Sequence, residues 1–146
     1  MNKKLKLWEL DRVSEEEFKS QDKFPLIVIL NDIRSLNNIG TFFRTSDAFN
    51  VEKIYLCGIT ATPPHRDIHK TALGAEDTIE WEYRENIVEL VKELQAQGVC
   101  VASIEQAEKT TKLHEINQLD APKFALVFGN EVNGVDQEVI DISDAI

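Results

Sequence analysis

Two clusters of polar residues, each set at the end of an apolar run, carry the chemistry this sequence offers. The first is Asn38-Ile39-Gly40-Thr41-Phe42-Phe43-Arg44-Thr45-Ser46-Asp47-Ala48, downstream of the run Pro25–Leu30. The second is Phe128-Gly129-Asn130-Glu131-Val132-Asn133-Gly134-Val135, at the end of the run Phe124–Phe128. The Arg44 guanidinium stays protonated at neutral pH and is a poor base. Its planar fork of donors suits holding an anion or a polar group in place. The glycines of the second cluster let backbone approach a ligand closely, and the Glu131 carboxylate suits a cationic one. Each cluster also has a plain structural reading. Asn38 can cap a helix, Arg44 can pair with Asp47 one turn on, and Gly134 can supply a positive φ to a turn.

Other chemistries are excluded by what stands beside these residues. Gly129-x4-Gly134 is half a phosphate-binding loop, but Val135-Asp136 replaces the Lys-Ser/Thr that phosphate and magnesium require. No Gly-x-Gly-x-x-Gly follows a strand, which removes a dinucleotide fold. His65 and His69 are spaced to share a helix face, but no third ligand accompanies them and no metal site is expected. Cys57 and Cys100 lie in or beside apolar runs and read as reduced core thiols.

The elements that must position the clusters follow from periodicity. Ser14-Glu15-Glu16-Glu17 is a capping box, predicting a short helix over Glu15–Gln21. Pro25–Leu30 is a continuous apolar run of the kind buried on both faces of a parallel sheet. Asn31–Asn38 reads as a loop, and a helix capped by Asn38 is predicted over Ile39–Phe49, with Phe42, Phe43 and Phe49 facing the core. Strands are expected at Lys53–Cys57, Thr78–Tyr83, Val99–Ile104 and Phe124–Phe128. Helices are expected at Asp67–Leu73, Asn86–Gln97 and Val135–Ile142, with Gly74 and Gly98 as stop signals. Thr110–Asn117 gives no clear pattern. The alternation implies an α/β fold, a mostly parallel sheet with flanking helices. In such sheets ligands sit beyond the carboxyl ends of the strands, where Asn38, Arg44, Ser103, Gly129 and Glu131 would all fall.

The chain of 146 residues fits one domain by the usual span of about 100–200 residues, with residues 1–23 as an N-terminal extension. At 42% hydrophobic and 29% charged it is ordinarily globular. It shows no membrane span and no signal peptide, and reads as cytoplasmic. A net charge of −10 argues against a surface that grips nucleic acid all over. It leaves room for local basic patches, at Lys3, Lys4, Lys6 and Arg12, and at Arg34, Arg44, Arg66 and Lys70.

As a pair, Asn-x-Gly-x3-Arg-[Ser/Thr]-x-Asp-Ala and Phe-Gly-Asn-Glu-x2-Gly resemble the first two motifs of the SpoU (TrmH) branch of the SPOUT RNA methyltransferases. Lys70-Thr71-Ala72-Leu73-Gly74-Ala75 is similar to a further stretch of that family. The resemblance covers about Pro25 to the end of the chain. It implies a 2′-O-ribose methyltransferase acting on tRNA or rRNA with S-adenosylmethionine, a homodimer, and a SPOUT-like fold knotted at the cofactor site. It assigns catalysis to Arg44, with Asn38 supporting it or the substrate and Glu131 bracing the loop or Arg44. It assigns cofactor binding to Ser103, Ile104, Phe128, Gly129, Asn130 and Gly134, and no metal.

The family pattern continues with an Ile-Pro strand and a Ser-Leu-Asn-x-Ser stretch that opens a last helix, which residues 1–146 do not contain. On this reading the knot and one wall of the cofactor pocket are incomplete in the chain. The expectations are then a fragment of a longer enzyme or a non-catalytic RNA-binding or interaction relative.

Overall fold

The computed structural model describes residues 1–146. Five strands, β1 (Phe24–Asn31), β2 (Val51–Cys57), β3 (Trp81–Arg84), β4 (Cys100–Ile104) and β5 (Phe124–Phe128), form one sheet in the order β3-β2-β1-β5-β4. Every pairing in it is parallel. Six helices accompany them: α1 (Glu15–Ser20), α2 (Leu36–Ala48), α3 (Arg66–Ala72), α4 (Ala75–Thr78), α5 (Ile87–Ala96) and α6 (Gln137–Ile142). Short 3-10 turns occupy Leu7–Glu9 and Leu113–Gln118.

The unbroken apolar run of β1 explains its central place. Side chains alternate across a strand, so Ile27 and Ile29 face one layer while Val28 and Leu30 face the other. The first layer packs α5 and α6 through Leu90, Val91, Leu94 and Val139. The second packs α2 and α3 through Ile39, Phe43, Ile68 and Ala72. The α2–α3 crossing is close because Gly40 has no Cβ. A methyl there would collide with the Thr71 hydroxyl and the Ile68 carbonyl. Thr71 instead donates to the Asn37 carbonyl at 2.8 Å.

Several boundaries differ from the sequence reading. Helix α2 begins three residues earlier than predicted, because Ser35 and not Asn38 is its cap; the Ser35 hydroxyl accepts from the Asn38 N–H at 3.2 Å. Phe49 lies past the helix and is 69% exposed, while Phe43 is fully buried. The predicted strand Thr78–Tyr83 starts only at Trp81, because Gly74 turns the chain into the short helix α4. Cys57 is buried as expected, but Cys100 is only half-buried.

Candidate active site

The chain runs from β1 outward through β2 to β3, then crosses to the opposite edge for β4 and returns inward to β5. The strand order therefore reverses between β1 and β5, and a crevice opens beyond their carboxyl ends. Register makes the three strand ends level: Phe128 pairs with Leu30 on one side and with Ile104 on the other. The segments starting at Asn31, Glu105 and Gly129 consequently leave the sheet side by side.

The 129–134 loop is built on itself before it holds anything else. Asn130 and Gly134 exchange two backbone hydrogen bonds, at 3.0 and 2.9 Å. The Asn130 Oδ1 accepts from the N–H groups of Val132 and Asn133, both at 2.9 Å, and its Nδ2 donates to the Asp32 carbonyl at 2.7 Å. Gly134 has φ 71°, which suits glycine. A Cβ on Gly129 would meet the backbone of Gly134 and Val135. Gly129 is thus required first by the closure of its own loop. Asp136, just beyond, is fixed to β1: its N–H donates to Asn31 Oδ1 at 2.8 Å and its carboxylate accepts from Asn31 Nδ2 at 3.1 Å.

Glu131 reaches from this loop to the start of α2. Its carboxylate accepts from the Arg34 N–H at 3.0 Å, the Ser35 N–H at 2.9 Å and Asn38 Nδ2 at 3.2 Å. Partial burial opposes its charge. The backbone donors of Arg34, Ser35 and Glu131 itself, together with the Asn38 amide, outweigh that and hold the carboxyl at about 2, against an ordinary 4.5. Glu105, just past β4, plays a similar part on the other side. It accepts from the Gln106 N–H at 2.8 Å and the Val135 N–H at 3.0 Å. Those two donors hold its carboxyl below the usual range, against a smaller effect of burial.

Two hollows result. One, of about 430 Å³, lies between α2 and the loop and is lined by Asn38, Phe42, Phe128, Gly129, Asn130, Glu131 and Gly134. The Phe42 and Phe128 rings meet at 4.9 Å in its wall. The other, of about 480 Å³, lies between the end of β4, the 105–119 segment and Ala145–Ile146. Ser103 lines this second hollow, but its hydroxyl is bonded to that of Ser143 at 2.7 Å and its N–H donates to the Ala145 carbonyl at 3.0 Å. Ile104 lines both hollows and is 48% exposed.

Seven of the nine residues singled out from the sequence thus share the first hollow, drawn from segments more than 90 residues apart. Arg44 does not line either hollow. It lies about 240° round α2 from Asn38, exposed and with no ion-pair or hydrogen-bond partner; Asp47, its suggested partner, accepts instead from Thr78 at 3.0 Å. The sequence reading missed Ser35, Asn31, Asp136 and Glu105. Ser35 carried a signal, since serine is a preferred cap. Glu105 carried a weaker one, as the first residue past a strand's carboxyl end.

An all-parallel sheet with a crevice at its switch point is the arrangement in which open α/β folds hold their ligands. The comparisons give the family. The chain belongs to the SpoU rRNA methylase family, whose model matches residues 25–146. It is 30% identical over 118 residues to a 23S rRNA guanosine 2′-O-methyltransferase of Bacillus subtilis, covering 81% of this chain and 46% of that protein. It is 27% identical over 127 residues to a mitochondrial rRNA methyltransferase of Dictyostelium discoideum, covering 84% of this chain and 24% of that one. The chain therefore spans less than half the length of either relative. Among solved structures, the TrmH/SpoU tRNA modifying enzyme of A. aeolicus superposes with a TM-score of 0.76 at 21% identity, over 90% of this chain and 65% of that one. An AdoMet-bound rRNA methyltransferase from Sinorhizobium meliloti gives 0.76 at 22%, over 88% and 49%. These two likenesses show the fold, and it is the SPOUT-type architecture expected from the motifs.

Proposed function

We propose that this protein methylates the ribose 2′-hydroxyl of an RNA, tRNA or rRNA, with S-adenosylmethionine as donor. The observation that carries the reading is the meeting of the two motif segments, through Glu131 and Asn38, in a hollow that adjoins a second, ligand-sized cleft. Ligand pockets usually measure about 300–1,000 Å³. The second cleft, at about 480 Å³, falls in that range. Its donor set fits an adenosyl amino acid. Ile104, Leu113 and Ile116 offer an apolar slot for a purine, and Lys112 offers a cation for a carboxylate.

Bound there, S-adenosylmethionine supplies an electrophilic methyl on a sulfonium. The chain's residues do the rest. Ile104 and the 105–119 segment enclose the adenosyl group, with Ser103 bracing the wall from behind. Phe128, Gly129, Asn130 and Gly134 shape the hollow in which the target ribose is held. Glu131 fixes the start of α2, and Asn38, held by it, faces the ribose. Arg44, exposed and unpaired on α2 outside the hollow, holds the RNA phosphate beside the target ribose and acts on the 2′-hydroxyl by way of it, and the hydroxyl proton passes to solvent as the methyl leaves sulfur. A homodimer, a single SpoU-like domain over 1–146 and a cytoplasmic setting belong to the same reading. No helix is long and apolar enough to cross a membrane.

The test is transfer of labelled methyl from S-adenosylmethionine to bulk tRNA and rRNA, with nucleoside analysis of the product. A 2′-O-methylated nucleoside is the expected product. Cofactor binding without transfer to any RNA would favour a non-catalytic RNA-binding relative, and a methylated base would overturn the assignment of the hydroxyl as acceptor.

A further inference from the structure

Only Ile104 and Glu105 line both hollows. They form the partition between the cleft assigned to the donor and the hollow assigned to the ribose. Ile104 is apolar, so Glu105 supplies the partition's only ionisable group. Its carboxylate is fixed from two sides, by the Gln106 N–H at 2.8 Å and the Val135 N–H at 3.0 Å. It also lies against Gly134, where a Cβ would strike it. A carboxylate bonded to two backbone N–H groups keeps its charge and cannot swing away to solvent freely.

The remaining charge in the donor cleft is equally simple. Glu105 and Lys112 are the only charged side chains among its lining residues. A ligand that carries both a carboxylate and a fixed cation matches this pair, with the carboxylate towards Lys112. The cation must then lie towards the partition, because a group transferred from the cleft to the hollow has to leave on that side.

On the strength of the proposed function, we infer that Glu105 is a positioning residue for the donor's sulfonium. It sets the cationic centre against the partition and makes the site prefer the charged donor over its neutral product. The same carboxylate, through Val135, holds the loop that shapes the ribose hollow, so the two halves of the site are registered to one side chain. A group that favours the sulfonium over the thioether also assists product release, since the attraction vanishes as the methyl leaves.

The test compares calorimetric affinities for S-adenosylmethionine and S-adenosylhomocysteine, which differ at the sulfur by one methyl and one charge. Glu105→Gln keeps an acceptor for the loop and removes the charge. It should weaken S-adenosylmethionine by about three- to tenfold, as for a partly exposed charge pair, and leave S-adenosylhomocysteine within about twofold. Glu105→Asp should recover most of the preference, and its comparison with Glu105→Ser serves if Glu105→Gln fails to fold. Equal loss for both ligands would mean that Glu105 only holds the loop or faces the amino-acid end, and would overturn the inference while the proposed function stands. No change for either ligand would overturn it as well. Failure of the wild-type protein to bind either ligand would overturn the proposed function and this inference with it.

Discussion

Asn38 Nδ2 donates to Glu131 Oε1 at 3.2 Å across 93 positions of sequence. The bond closes a clamp, because the same carboxylate also takes the Arg34 and Ser35 N–H groups at the entry to α2. Asn38 is free to make it only because Ser35 caps the helix in its place. A residue read as a local cap is thereby a long-range tether between the two motifs.

The clamp has a pH signature. The Glu131 carboxyl sits at about 2 in the folded protein against an ordinary 4.5. Between those values the unfolded chain binds the extra proton, so stability rises with pH. The contribution is complete above about 4.5 and is lost as pH falls towards 2. Glu131→Gln should therefore cost about 1 kcal/mol near neutrality, a charged hydrogen-bond value discounted for exposure. The gap to wild type in urea melts should narrow as pH falls from 4.5. A gap that stays constant across that window would show that the charge is not what holds α2.

Gly129→Ala should destabilise by about 1–3 kcal/mol, because the added methyl meets backbone that cannot rotate away. The loss should appear in denaturant melts with no ligand present. A variant as stable as wild type that failed only in cofactor binding would restore the simpler view, in which Gly129 serves ligand approach alone.

Arg44→Ala should leave stability within about 0.5 kcal/mol, since the side chain has no partner to lose. Under the proposed function it should lower methyl transfer by about 10²–10³-fold with cofactor affinity nearly unchanged. Arg44→Lys should rescue little, because an ammonium lacks the planar fork. Full transfer by Arg44→Ala in a single-turnover assay would end the catalytic assignment.

The two thiols should separate by reactivity. Burial above all, with Asp32 adding to it and Arg84 opposing, pushes Cys57 up to about 12. Cys100 is raised less deeply in the fold, by partial burial and the neighbouring Asp144. A disulfide reagent at pH 8 should modify one thiol slowly, at Cys100, and reach Cys57 only on unfolding. Two equivalents reacting together in the native state would contradict the burial of β2.

The sequence by itself determined the class of fold and singled out the candidate residues of the site. A continuous apolar run as short and as rich in β-branched residues as Pro25–Leu30 suits the middle of a parallel sheet. The carboxyl ends of such strands are where backbone and polar side chains stay accessible. The two motifs taken as a pair, and the family they resemble, singled out Asn38, Glu131 and the 129–134 loop as candidates. Only the tertiary structure decided what each does, because side-chain partners are set by register. Once Phe128 lies level with both Leu30 and Ile104, Glu131 falls opposite Asn38 and Glu105 falls against Gly134, relations that no local pattern encodes. Arg44 shows the reverse. Its spacing from Asn38 placed it in the motif, but 3.6 residues per turn carries it round α2, away from the hollow its neighbours line.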